Sequence, residues 1–541
     1  MTSAPQTATD SPKKLDVLIV GAGFAGMYLV HKFRKLGYSI LAVDAASDVG
    51  GTWYWNRYPG ARCDVESLQY SYSFSEELEN EWEWSEKFAA QPEIHAYQKY
   101  VADKFDLRRD MLFNTRVTSA IFNDDRSRWL VETDQGIAFD AKYCVLATGP
   151  LSVPLFPKFE GMEKFKGNIY HTGKWPREEV DFSGQRVGVI GTGSSAVQTI
   201  PEIAKQVKEL HIFQRTANYS VPAQNRPLTA EEKANWKNNF RELRKKSRTT
   251  RVAMLHEFGQ KSALEVSPEE REKEYQRRWE KGGTNFGYAY NDIIFNEEAN
   301  KTCANFVRRK IDQIVKDPET AALLKTQTYP IATKRLCIDT NFYETFNKDY
   351  VHLVDVRTNP IERFTENGLT VAGKEYVFDS IILATGFDAM TGAVLNIDIK
   401  GKEGLPLKEK WEAGPRTYLG LQVAGFPNLF IVNAPGSPSV FTNMVISIED
   451  SVNWITECIA NIDKQQFKRI EPSEQAEEEW IHIVNDAANK TLVPKANSWY
   501  LGANVPGKTR VFMPYVGGFD KWLNLIWEIA EKNYNGFELS K

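Results

Sequence analysis

"LDVLIVGAGFAGMYLVHKFRKLGYSILAVDAAS", Leu15 to Ser47, changes its hydrophobic period twice in one short run. An apolar run with strand character leads into Gly21-x-Gly23-x-x-Gly26. Apolar residues at helical spacing follow, Gly37 stops them, and a second apolar run ends at Asp44. A lone glycine triplet of this kind reads as no more than a tight strand-to-helix turn. With a strand before it, a helix after it and an acid at this distance, the pattern predicts a dinucleotide site. The glycines allow the backbone close to a pyrophosphate, the helix N-terminus faces it with free N–H groups, and Asp44 is placed to accept from ribose hydroxyls.

The pattern recurs in "QRVGVIGTGSSAVQTIPEIAKQVKELHIFQRTAN", with Gly191-x-Gly193-x-x-Ala196 and a helix that Pro201 is expected to kink. Where the first copy ends its second strand in Asp44, this one offers Gln214, Arg215 and Thr216. A guanidinium binds a 2′-phosphate that a carboxylate would repel, so this copy is expected to take NADP(H). The alternative is that Arg215 is a solvated charge at a strand end. Two dinucleotide sites in one chain imply electron transfer between cofactors, and a hydride from NADPH needs an acceptor ring; the first copy is therefore expected to hold FAD. "KYCVLATGP" (Lys142 to Pro150) and "FDSIILATGFDA" (Phe378 to Ala389) are apolar strands that each end in Ala-Thr-Gly, and they bracket a second domain inserted into the first. The predicted fold is α/β, with two Rossmann-like domains. Residues 1–152 and 387–541 form the FAD part, and 153–386 form the NADP part. A helical insertion over about 225–328 is marked by caps at Thr229 and Ser267.

The rest of the 541-residue chain narrows the class. It is 42% hydrophobic and 26% charged with a formal net charge of −4, and it shows no basic stripe of the kind that neutralises phosphates, so nucleic acid is not expected as a partner. The five cysteines are scattered without a C-x-x-C, which predicts neither a disulfide framework nor a metal site. No run reaches the ~20 apolar residues of a membrane span. A cytoplasmic enzyme with small-molecule substrates, monomeric or a weak homo-oligomer, is the expectation. The polar residues 1–14 are expected to be disordered. "EEREKEYQRRWEKGG" reads as a solvated helix face, and Gly282, Gly283 and Gly287 as points where a loop moves.

One segment fits neither period: "FKGNIYHTGKWP", carrying Phe165, Gly167, His171, Trp175 and Pro176. With "GGTWYWNRYPGARCD" (Gly50 to Asp64), "KRL" (Lys334 to Leu336) and "SWYLGANVPGK" (Ser498 to Lys508), it resembles the type I Baeyer–Villiger monooxygenases, nearest to the phenylacetone and steroid branch, with the cyclohexanone enzymes more distant. Disulfide reductases share the two-site layout but need a redox cysteine pair, and flavin-containing monooxygenases end the fingerprint in Tyr or Phe.

The resemblance implies a reaction in which NADPH reduces FAD, O2 adds to the flavin, and the peroxide attacks a ketone to give an ester or lactone. It makes Arg335 the catalytic cation over the flavin and Asp64 its partner. FAD contacts fall on Gly21, Gly23, Ala25, Gly26, Asp44, Thr52, Trp53, Tyr54, Trp55, Asp64, Tyr70, Val117 and Met444. NADP contacts fall on Arg62, Cys63, Asp64, Gly191, Thr192, Gly193, Ser194, Ser195, Ala196 and Gln198, and on Arg215, Thr216, Lys334, Arg335 and Trp499. Val65, Ser439, Val440, Phe441 and Met444 are implied pocket residues. His171 reads as a strap or hinge between domains, with a satisfied structural histidine as the plain alternative; Trp499 is alternatively core, and the Lys334-Arg335 pair alternatively a basic turn. Departures from the family pattern are Pro150, Asn433-Ala434 and Asp44, the last in place of a longer Glu. Heteroatom oxygenation and a non-catalytic NADP(H)-sensing flavoprotein are the competing functions.

Overall fold

Alternating apolar runs and amphipathic helices bury a sheet on both faces, and the computed structural model, which describes residues 11–541, contains two such sheets. Residues 1–10 of the segment expected to be disordered lie outside the described residues. Lys13 and Lys14 correct the rest of that expectation. They begin the strand Lys13–Val20 and pair with Phe139 and Asp140, because ladder bonds use only their backbone and leave both side chains in solvent.

The first sheet runs in the order Asp398–Lys400, Val117–Asn123, Arg128–Thr133, Ala138–Leu146, Lys13–Val20, Ile40–Val43, Met111–Leu112, and Leu429–Ile431 also pairs with Ala138–Leu146. The helix Phe24–Lys35 buries Met27, Leu29, Val30 and Phe33 against it and gathers Lys32, Arg34 and Lys35 in its last turn, where cations suit the negative end of the helix dipole. Gly37 follows at φ +80°. The second sheet is all parallel, in the order Val351–Asp355, Glu209–Gln214, Arg186–Ile190, Ser380–Leu383, Asn168–His171. The helix Ser194–Ile203 passes through Pro201 and stops two residues later.

The chain crosses from the first sheet to the second after Leu146 and returns after Leu383, and the two crossings run side by side. Pro154 bridges Phe387, and the Leu155 N–H donates to the Gly386 carbonyl at 2.9 Å. Between the strands of the second sheet lie the helices Ala230–Arg248, Pro268–Lys281, Glu297–Ile314 and Pro318–Leu324. The Thr229 cap is a reciprocal capping box with Glu232, whereas at Ser267 only the cap side chain accepts a bond.

The first of these helices docks on the part that carries the first sheet. Arg244, 3% exposed, pairs with the buried Glu79 at 2.8 Å and donates to the Gln69 carbonyl and the Ser71 hydroxyl. Breaking so buried a pair typically costs about 3–5 kcal/mol. The run Glu269 to Gly283 has the solvated face expected of it, with Glu269, Glu270, Lys273, Arg277 and Glu280 exposed, while Tyr275, Arg278 and Trp279 are buried on the other side, where Arg278 turns inward to Glu274 and Asn285. Gly282 and Gly283 pack against Ala223 and Phe88.

Candidate functional site

Two helix N-termini are built alike. Gly21 and Gly191 both sit at φ +115°, and a Cβ at either would stand 2.5 Å from a carbonyl oxygen, that of Ala147 for Gly21 and that of Ala384 for Gly191. Each glycine turn is thus pressed on one of the Ala-Thr-Gly strand ends. Among described helices of ten residues or more, only Phe24–Lys35 and Ser194–Ile203 begin with neither a side-chain cap nor an acid in the first turn. Uncapped N–H groups at a positive dipole end fit a pyrophosphate at both places.

Asp44 ends the strand after the first turn. Its carboxylate accepts from the Ala22 N–H at 2.6 Å and the Ala46 N–H at 2.7 Å, and burial pushes its pKa up in spite of those bonds. The shorter acid therefore braces the glycine turn, and each oxygen keeps lone-pair capacity for a ribose. At the second copy Arg215 is exposed, and the Thr192 hydroxyl donates to the Thr216 carbonyl at 2.8 Å. Lys334 lies 4.2 Å above the Tyr329 ring; burial and then the nearby Arg215 lower its pKa. Neither cation has a carboxylate partner among the described residues, which is what a bound 2′-phosphate would require.

Arg335 and Asp64 meet where the two parts face each other. The Arg335 Nη2 donates to Asp64 Oδ1 at 2.8 Å, its Nε donates to Asp64 Oδ2, and its Nη1 donates to the Val440 carbonyl at 2.7 Å. About a quarter of each side chain is exposed. Burial alone would lower the guanidinium pKa; the charge of Asp64 and its hydrogen bonds outweigh it and raise the pKa further. Three of the five N–H donors are thereby used, which leaves one on each Nη for an incoming oxygen.

Arg335 lines an open cleft of about 830 Å³ together with Lys334, Leu336, Val440 and Phe441. Three of the predicted pocket residues do not line it: Val65 and Ser439 are buried, at 3% and 0% exposure, and Met444 is half-buried at the start of the helix Met444–Lys464. Arg251, Val252, Met254, Tyr288, Tyr500, Tyr515 and Val516 also line the cleft. Sequence reasoning missed them because they come from three distant segments with no shared motif; only Tyr500, beside Trp499, carried a signal. Trp499 is half-buried with its ring 4.3 Å from that of Tyr500.

Other predicted residues lie along the seam. Gly51 faces Gly23 and leads into the short helix Thr52–Trp55, where the Trp53 Nε1 donates to the Tyr70 hydroxyl at 3.2 Å and Tyr54 lies under Arg177. Ala25 is buried within the first helix, and Val117 at the start of its strand. Arg62 is held by Glu86 and the Phe88 carbonyl, while its backbone is clasped by the Gln198 amide, which also accepts from the Tyr58 hydroxyl at 2.8 Å. Cys63 is buried, and burial raises its pKa. Ser194 is exposed, Ser195 half-buried and Ala196 buried at the head of their helix.

The fingerprint segment is a knot between the crossings. His171, 2% exposed, accepts from the Gly173 N–H at Nδ1, so its proton sits on Nε2, 3.1 Å from the Thr385 hydroxyl and 3.3 Å from the Leu155 carbonyl. Burial lowers its pKa to about 4, which keeps it neutral. Phe165 and Trp175 are buried, and a Cβ on Gly167 would strike the Asp379 carbonyl. Asn433, one of the sequence departures, accepts from the Ser447 hydroxyl at 2.8 Å.

The chain matches the family model described as pyridine nucleotide-disulphide oxidoreductase over residues 18–279. A Baeyer–Villiger monooxygenase of Pseudooceanicola batsensis is 42% identical over 96% of this chain and 95% of its own length. A phenazine N-monooxygenase of Lysobacter antibioticus is 41% identical over 97% of both chains. The solved structure of an oxidised steroid monooxygenase bound to NADP superposes with a TM-score of 0.94 at 50% identity, covering 98% of this chain and all of the other. No described helix is long and apolar enough to cross a membrane.

Proposed function

Because this chain belongs to the Baeyer–Villiger flavin monooxygenases, FAD- and NADPH-dependent enzymes that use O2 to convert ketones to esters or lactones, we propose that Arg335 is its catalytic cation and Asp64 the residue that orients it. The carrying observation is the fixed guanidinium on the cleft wall, gripped on three donors and left with two. FAD, when bound, supplies the ring that takes electrons from NADPH and passes them to O2.

The protein supplies position and field. The glycine turns at Gly21 and Gly191 and their uncapped helices hold two pyrophosphates, and Arg215 with Lys334 selects the phosphorylated nucleotide. A carbonyl carbon under attack places negative charge on its oxygen. Two preset N–H donors of a permanently charged group stabilise that charge without reorganising. Asp64 balances the cation while the cleft is empty and prevents it from turning toward solvent. The Val440 carbonyl holds Arg335 while the Val440 side chain lines the cleft, so cation and pocket wall share one loop. Tyr288, Val440, Phe441, Tyr500 and Val516 give that wall an apolar character suited to hydrophobic ketones.

Arg335→Ala tests the assignment. Reduction of bound flavin by NADPH should stay within a few-fold of the wild type, while ester formation falls by roughly 10²–10³, the usual cost of an oxyanion donor. Unchanged ester formation would remove Arg335 from the chemistry. The 41% identical phenazine N-monooxygenase favours heteroatom oxygenation as a second reading, and product analysis on paired ketone, sulfide and amine substrates separates the two. The proposal includes a cytoplasmic monomer or weak homo-oligomer, which sedimentation of the FAD-loaded protein and cell fractionation address.

A further inference from the structure

The second sheet carries a group of side chains that the flavin chemistry does not use. His211 stands directly across from His352 in the parallel register of the strands Glu209–Gln214 and Val351–Asp355. Their rings are 4.7 Å apart, tilted by 37°. Glu209, two residues before His211, projects on the same face by the period of a strand. Its Oε1 lies 3.8 Å from the His211 Nε2 and 3.6 Å from the His352 Nε2. One donor atom from each of the three residues lies within 4.8 Å of the other two, the only such grouping of three or more His, Cys, Asp or Glu among the described residues.

We propose that Glu209, His211 and His352 form a binding site for a divalent transition-metal ion of the Zn2+ class. Two imidazole nitrogens and a carboxylate oxygen are the donor types that Zn2+, Co2+, Ni2+ and Cu2+ take at about 2.0–2.2 Å, whereas Mg2+ and Ca2+ prefer all-oxygen sets. Bonds of that length in a tetrahedron separate donors by about 3.3–3.5 Å. The contacts at 3.6 and 3.8 Å are therefore within a small side-chain rotation of ligation. Three protein ligands leave a position for water.

The surroundings favour capture. His211 is 15% exposed, with Glu209 and His352 near 40%, so an ion can enter from solvent. The His211 Nδ1 is buried without a hydrogen-bond partner among the described residues. Tyr376 and Phe378 pack edge-on against the ring and form an apolar floor. Two cations lie nearby. Arg186 is bound to Asp379, and Lys374 lies over the Tyr376 ring.

Glu209 opens the strand whose other end leads into Arg215, so the site lies about 17 Å along the sheet from the nucleotide phosphates. An ion there would brace the edge strand Val351–Asp355 to its neighbour without entering the cleft.

Zn2+ titration of untagged, EDTA-treated, FAD-loaded protein tests the site. Calorimetry should find about one ion per chain in the micromolar range, and Co2+ should give the visible absorption of a tetrahedral site. His211→Gln and His352→Gln should each weaken Zn2+ binding roughly tenfold or more and abolish a Zn2+-induced rise of several degrees in unfolding temperature. Glu209→Gln should weaken it as well, which keeps the test alive if a histidine variant fails to fold. His482→Gln, which removes the exposed histidine beside Glu478, should bind as the wild type does, and ketone oxidation should persist in all four variants. A wild type that binds no Zn2+ below millimolar concentration, or histidine variants that bind as tightly as the wild type, would overturn the site.

Discussion

Arg215 and Lys334 come near one another from segments far apart in sequence, and their mutual repulsion is what an anion bound between them would relieve. A charge-assisted hydrogen bond contributes about 1.5–3 kcal/mol. Arg215→Ala should therefore raise the KM for NADPH by roughly 10–100-fold and leave that for NADH nearly unchanged; equal shifts in steady-state kinetics would contradict the phosphate role. Single residues were legible where a turn demands a fixed type at a fixed spacing, as at Gly21 and Gly191, whereas Arg335 stood out only through the family resemblance. They were illegible where a role depends on folding: nothing in the sequence shows that Arg62 is spent on Glu86, or that Asp44 braces the turn at Ala22.

Among the elements, the helix Ser194–Ile203 is open to a phosphate through what its first turn lacks, a side-chain cap and an acid. An acid there stabilises an isolated helix and repels a pyrophosphate. Ser194→Asp should accordingly keep or slightly raise the unfolding temperature and raise the KM for NADPH and NADH alike by about tenfold, in contrast to Arg215→Ala. Unaltered KM values would place the pyrophosphate elsewhere. Element order followed from hydrophobic period and caps. The docking of Ala230–Arg248 on Glu79 did not, because its anchor is a buried Arg244 that in sequence resembles its solvated neighbours.

Across the whole molecule, burial holds His31, His171 and His211 down to about 4 and His256 to about 3, and lowers His95 in the same direction. Below their ordinary value near 6.5 the unfolded chain takes up protons that the folded chain refuses, so their contribution is complete above pH 6.5 and is lost as the pH falls toward 4. Asp339 and Asp450, raised by burial to about 7 and about 6, act in the opposite sense. Asp44, also raised by burial, joins them, but the histidines outnumber all three, so net stability falls on acidification. Urea midpoints should drop by a clear margin between pH 7 and pH 5 at unchanged m-value; a rise on acidification would refute the burial argument. At this scale the two nucleotide folds and their insertion were readable from repeated motifs. The cleft wall was not, since it is assembled from loops that share neither period nor spacing.

The crossings that run together at Pro154 and Phe387, with His171 bonded to both, act as a paired ribbon. Such a ribbon flexes about the line across its width and resists torsion along its length. A swing of one sheet against the other would turn on that ribbon, like covers on a spine. Such a swing would part reductant and ring along one arc and return them to the same facing.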